Sequence, residues 1–161
     1  MASDDSPPPG AVLFACNLNR VRSPMAEALL KRLVGDRIFV DSCGTRTARL
    51  EADAPEGEAI DPFAAAVMAE LGCDLSGHAA KTFDDLQDSS FDLIVSLTPE
   101  AQHRAVELAR DRSVDIEYWP TFDPTLAEGS REQRLEAYRQ VRDELAWRIE
   151  DRFGRPSTFG G

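Results

Sequence analysis

The residues best placed to do chemistry are Cys16-Asn17-Leu18-Asn19-Arg20-Val21-Arg22-Ser23-Pro24. Five residues separate Cys16 from Arg22, which makes a loop short enough to wrap one small anion. Backbone N–H groups and the start of a following helix can point inward at such an anion. The same positive field favours the charged thiolate of Cys16 over its thiol. Arg22 adds a planar fork able to hold two phosphate oxygens at once. A positioned sulfur nucleophile, an amide cradle and an arginine are what phosphoryl transfer to sulfur requires.

The surrounding elements must hold that loop. Ala11–Cys16 is a continuous apolar run, as expected of a buried parallel strand. Ser23-Pro24 predicts a helix start, with Ser23 as N-cap, running to about Gly35. Ile38–Ser42 reads as a second strand, followed by a polar loop from Gly44 to Gly57. Asp61-Pro62 and Thr98-Pro99 repeat the cap-then-proline signal, opening helices to Leu71 and about Asp111. Phe91–Leu97 and Asp115–Tyr118 complete four strands. Leu135, Tyr138, Val141, Leu145, Ile149 and Phe153 recur at three- and four-residue steps, the apolar stripe of a long helix. Alternation of strand and helix implies an α/β fold of three layers, a four-stranded parallel sheet with helices on both faces. Ligands of such sheets bind beyond the carboxyl ends of the strands, where Cys16 lies.

The chain has 161 residues, enough for one domain with its own core. Residues 1–10 read as a disordered lead-in, 11–154 as a single domain and 155–161 as a flexible tail. The formal charge of -11 argues against nucleic acid and anionic membranes as partners. Three cysteines, Cys16, Cys43 and Cys73, with no secretory signal, predict reduced thiols in a cytoplasmic setting. No spacing suggests a metal site, and neither metal nor cofactor is expected.

The stretch from Val12 to Leu30, with its C-x5-R-S-P core, resembles the N-terminal signature of low-molecular-weight protein-tyrosine phosphatases. Asp41–Thr45, Asp74–Lys81 and a late Asp123-Pro124 extend the likeness along nearly the whole chain. The resemblance implies a phosphatase loop after the first strand, formed by Asn17, Leu18, Asn19, Arg20, Val21 and Arg22. It implies Cys16 as nucleophile through a phosphocysteine, Arg22 as phosphate ligand and Ser23 as hydrogen-bond partner of the sulfur. It implies Asp123 as general acid, and Asn19, Ser42 and His78 as supports of the loop. The implied substrate is a phosphorylated protein or small aryl phosphate, with phosphate or another oxyanion held in the loop.

Plainer readings stand beside these. Asp123-Pro124 also suits the cap of a short turn. His103 reads as solvated, and Trp119, Phe122 and Trp147 as core or rim packing. The chain also departs from the family pattern. Leu18 stands where glycine is common, which a negative φ would permit. Val21 replaces a second loop cysteine, so Cys16 is expected to over-oxidise readily. If Ser42 faces the loop, Cys43 faces away and cannot resolve that oxidation. Thr125-Leu126 follows Asp-Pro where aromatic walls are usual, so phosphotyrosine is not assured as substrate. Arg20 would favour a second acidic group on the substrate and repel a phosphoarginine guanidinium. Two other functions compete. A thiol-coupled arsenate reductase needs two further cysteines in relay, whose spacing Cys43 and Cys73 do not match. A non-catalytic phosphate-binding module would have no need of both Cys16 and Asp123.

Overall fold

The computed structural model describes residues 9–46, 59–86 and 90–154. The lead-in before Pro9, the tail from Arg155 and most of the 44–57 stretch, which carries no aromatic residue, lie outside the described residues.

Four parallel strands, β1 (Ala11–Cys16), β2 (Phe39–Gly44), β3 (Leu93–Ser96) and β4 (Asp115–Tyr118), form one sheet in the order β2-β1-β3-β4. Helices α1 (Arg22–Val34), α2 (Pro62–Ala69), α3 (Pro99–Ala109) and α4 (Arg131–Phe153) complete the three-layer α/β architecture. Strand periodicity divides the core. Val12, Phe14 and Cys16 of β1 join Met25 and Leu30 of α1, Val67 of α2 and Leu145 of α4 on one face. Leu13 and Ala15 join Ala101 and Ala105 of α3 on the other, with Phe83 and Phe91. The two central strands are buried along nearly their whole length, which explains why they read as unbroken apolar runs. The chain leaves β1 toward β2 and later returns to its other side as β3. This reversal opens a crevice beyond the carboxyl ends of β1 and β3.

The proline signals mark real starts for α2 and α3. Asp61 accepts from the N–H groups of Phe63 and Ala64, and Thr98 from that of Ala101. Ser130 and Gln133 form a capping box at α4, which buries the Leu135–Ile149 stripe. Arg139 clasps the Glu70 carboxylate beyond α2 and lowers its pKa to about 2.

The expected start of α1 is corrected. The helix begins at Arg22 with Val21 at its N-cap position, and Ser23 lies inside the first turn. Ser23 cannot cap because its hydroxyl is bound into the Cys16 loop. β2 extends to Gly44, two residues beyond expectation, because Cys43 and Gly44 stay in register with Ala15 and Cys16 of β1, and Gly44 N–H also donates to the Lys81 carbonyl. β3, α2 and α3 are each shorter than expected, and 3-10 turns at Gly35–Arg37, Phe83–Asp85 and Pro124–Leu126 had no distinct signal.

Candidate active site

Cys16 ends β1 and is 2% exposed, at the floor of a cavity of about 120 Å³. Asn17, Leu18, Arg20, Val21 and Arg22 line that cavity, with Arg46, Asp61, Asp123 and Thr125 around it. The loop is held from outside through its carbonyls. Thr45 N–H donates to the carbonyls of Cys16 (3.1 Å) and Asn17 (2.9 Å), and Asp61 N–H donates to that of Arg20 (3.1 Å). His78 Nε2 lies 2.8 Å from the Asn19 carbonyl.

Asn19 makes the tight turn. Its φ is 58°, the one positive value among the described non-glycine residues. Asparagine enters this left-handed region at lower cost than most residues. Leu18 is therefore accommodated without the backbone conformation that demands glycine. The Asn19 side chain is fully buried and spans the site. Its Nδ2 donates to Ser23 Oγ (2.8 Å) and Ser42 Oγ (3.0 Å), and its Oδ1 accepts from Lys81 N–H (3.0 Å).

The sulfur has two neighbours that can stabilise negative charge. Asn19 N–H donates to Cys16 Sγ at 3.3 Å, and Ser23 Oγ lies 3.0 Å away. Ser23 has one hydroxyl proton and two acceptors in reach, Sγ and the Cys43 carbonyl at 3.3 Å. Against a thiol it can donate to the carbonyl while accepting the S–H. Against a thiolate it can rotate and donate to sulfur. One hydroxyl thus suits both protonation states.

Arg22 is 12% exposed on its side chain, and its Nη1 donates to the Thr121 carbonyl at 2.9 Å. Its Nη2 approaches Asp123 Oδ2 at 3.8 Å. Asp123 meets the plainer reading of it, as the cap of a short turn. Its Oδ1 accepts from Thr125 N–H (3.0 Å) and Thr125 Oγ1 (2.7 Å), capping the Pro124–Leu126 turn. Its Oδ2 is left on the cavity side, and the carboxyl is 31% exposed.

Several participants carried no separate signal in sequence. Thr98, read only as a cap, donates its hydroxyl to Asn17 Oδ1 at 2.7 Å. Glu27 accepts from Ser42 Oγ at 2.6 Å, tying α1 to the Asn19 network. Asp61 bears on the cavity wall, where it accepts from Tyr138 Oη at 3.1 Å. Burial first, then the Asp61 charge, pushes the Tyr138 hydroxyl up, so it stays a donor. Thr98 and Asp61 sit at helix caps, which supplied a partial clue, whereas Glu27 lies beyond the first turn of α1.

The other cysteines are elsewhere. Cys43 is fully buried on the α3 face of the sheet, opposite to Cys16, and burial pushes its thiol well above the ordinary range. Cys73 lines a different cavity, along α1. His103 is solvated, Trp119 is buried, and Phe122 and Trp147 are exposed. Among the described residues, no aromatic side chain lines the Cys16 cavity. Tyr118 and Phe122 instead line an adjoining groove that shares Asn17, Arg22 and Asp123 with it.

A model of the low molecular weight phosphotyrosine protein phosphatase family matches residues 11–152. An arsenate reductase of Halalkalibacterium halodurans is 33% identical over 138 residues, spanning 86% of this chain and 91% of its own length. A low molecular weight protein tyrosine phosphatase from T. tengcongensis superposes with a TM-score of 0.67 at 26% identity, over 87% of this chain and 95% of its own. An arsenate reductase in its phosphate-binding state gives 0.64 at 29% identity, over 88% and 94% of the two chains.

Proposed function

This chain belongs to the low molecular weight phosphotyrosine protein phosphatase family, and from that premise we propose that it hydrolyses phosphomonoesters, phosphotyrosine among them, through a phosphocysteine on Cys16. The observation that carries this reading is the placement of Cys16, Arg22 and Asp123 on one small cavity, with the Asn19 amide and the Ser23 hydroxyl against Cys16 Sγ.

The steps balance without a metal or cofactor. The Cys16 thiolate attacks phosphorus while Arg22 and the loop amides stabilise the equatorial oxygens. The bond from phosphorus to the leaving oxygen breaks, and protonated Asp123 gives that oxygen its proton. Water then attacks the phosphocysteine and passes a proton to the Asp123 carboxylate. The sulfur–phosphorus bond breaks, its electron pair returns to Cys16, and phosphate departs. Ser23 donates to the sulfur whenever it is anionic. Phe122, 58% exposed beside Asp123, supports an aryl substrate, because it supplies an aromatic wall before the Asp-Pro where relatives place one after it.

Hydrolysis of a series of aryl phosphates by wild type, Cys16→Ser and Asp123→Asn tests the roles. Cys16→Ser should abolish turnover. Asp123→Asn should lose about 10²–10⁴-fold on poor leaving groups and much less on good ones, which need little protonation. An equal loss across the series would remove Asp123 as the acid.

The names of the relatives favour a second reading, arsenate reduction. It lacks a thiol relay here, since Cys43 lies on the opposite sheet face and Cys73 in another cavity. Thioredoxin or glutaredoxin oxidation that depends on arsenate would support that reading over hydrolysis.

A further inference from the structure

An open groove of about 450 Å³ continues the Cys16 cavity, sharing Asn17, Arg22 and Asp123 with it. Beyond Phe122, the chemistry at sulfur makes no use of this groove. We propose that it is a side-chain subsite of the same active site, and that it takes a large apolar residue neighbouring phosphotyrosine in a protein substrate. The inference rests on the phosphomonoesterase reading and narrows its substrate class.

The lining supports an apolar occupant. Leu97, Pro99 and Pro120 join the rings of Tyr118 and Phe122 around the groove. Tyr118 is 40% and Phe122 58% exposed, two of the six exposed large hydrophobic side chains among the described residues. Exposed apolar groups that gather in one place mark a contact surface, whereas scattered ones do not. The polar groups of the lining are already engaged. Thr98 Oγ1 donates to Asn17 Oδ1 at 2.7 Å and accepts from Ala101 N–H at 3.1 Å. The Thr121 carbonyl accepts from Arg22 Nη1 at 2.9 Å, and the Thr121 hydroxyl donates to the Trp119 carbonyl at 2.7 Å. Pro99 and Pro120 have no N–H to offer. Charge agrees with this. On a chain in which 29% of residues are charged, the charged residues of the groove are Arg22 and Asp123, the pair that serves the phosphoryl group. A charged side chain placed there would lose water with no counter-charge to replace it.

Continuity with the Cys16 cavity fixes whose side chain this is. Asp123 stands on both cavities, so a leaving oxygen beside it lies where one opens into the other. Consecutive residues of a peptide are about 3.8 Å apart at Cα. A residue next to phosphotyrosine therefore reaches the groove while the phosphate stays in the loop. Its burial adds affinity without touching the reacting atoms.

The test compares phosphotyrosyl peptides at high salt, where charge effects are screened. One peptide has alanine at every flanking position. The others carry a single phenylalanine at each position from two before to two after phosphotyrosine. At least one phenylalanine should raise kcat/KM by about fivefold or more, through KM. In Tyr118→Ser that gain, as a ratio to the alanine peptide, should fall to half or less, and Tyr118→Phe should keep it. Cys16→Ser protein titrated calorimetrically with the same peptides reads the same preference as Kd, without turnover. Equal Kd across the peptides, or a gain undiminished in Tyr118→Ser, would overturn the subsite. Peptides that bind with the phenylalanine preference yet are not hydrolysed by wild type would uphold the subsite and overturn the hydrolysis reading instead.

Discussion

Ser23 stands where a capping residue is expected, yet its hydroxyl contacts sulfur, an amide and a carbonyl rather than its own helix. The capping expectation fails while the sulfur contact implied by the family resemblance is present, because N-capping is a local rule and the Cys16 loop is a tertiary demand. Asn19 was more legible, since few side chains tolerate a left-handed turn. Ser42 entered only through the family resemblance, and the bond to Lys81 N–H was not legible, because that partner is 62 residues away. Val21 and Cys43 together set the redox behaviour of Cys16. No cysteine stands in the loop beside it, and Cys43 faces the other core. Peroxide should therefore drive Cys16 past the sulfenic acid to irreversible forms. Activity should not return on adding dithiothreitol, and mass spectrometry should find sulfinic or sulfonic acid at Cys16. Full recovery with thiol would refute this.

Helix α1 differs from α2, α3 and α4 in having no side-chain cap. Its first N–H groups are thereby kept for an anion in the loop, a use of unsatisfied helix donors that binding sites favour. The strands were readable from apolar runs because β1 and β3 are buried on both faces. The extension of β2 to Gly44 was not, because it depends on continued pairing with Ala15 and Cys16 of β1, about 28 residues away. Gly44 also permits the loop to approach β2. A Cβ there would lie 2.5 Å from the Asn17 carbonyl oxygen and 3.0 Å from Asn19 N, both backbone atoms that cannot swing aside. Gly44→Ala should lower kcat/KM for an aryl phosphate by about tenfold or more through loop displacement of a few tenths of an ångström. Thermal unfolding should show a smaller proportional loss, since the cores on either face remain. Wild-type turnover in Gly44→Ala would show that this close approach is not required.

The charge of -11 belongs to the whole molecule and acts at long range, whereas Arg20, Arg22, the loop amides and the start of α1 act locally at the cavity. Exposed charges are screened beyond about 8 Å at physiological salt. The two scales make opposite demands on a substrate: an anionic phosphoryl group inside, and surroundings that are neutral or basic. A phosphotyrosyl peptide flanked by lysines should show a higher kcat/KM than one flanked by glutamates at low ionic strength. The gap should narrow as salt rises. A preference for the acidic peptide at low salt would mean that the rim arginines dominate the approach. Beneath these effects lies the claim that phosphorus passes through sulfur. Rapid acid quench of wild-type protein during turnover of an aryl phosphate, followed by peptide mass spectrometry, tests it most directly. The account predicts a phosphoryl adduct on the peptide carrying Cys16, and its absence in Cys16→Ser. Turnover with no adduct at Cys16, or hydrolysis retained by Cys16→Ser, would contradict it.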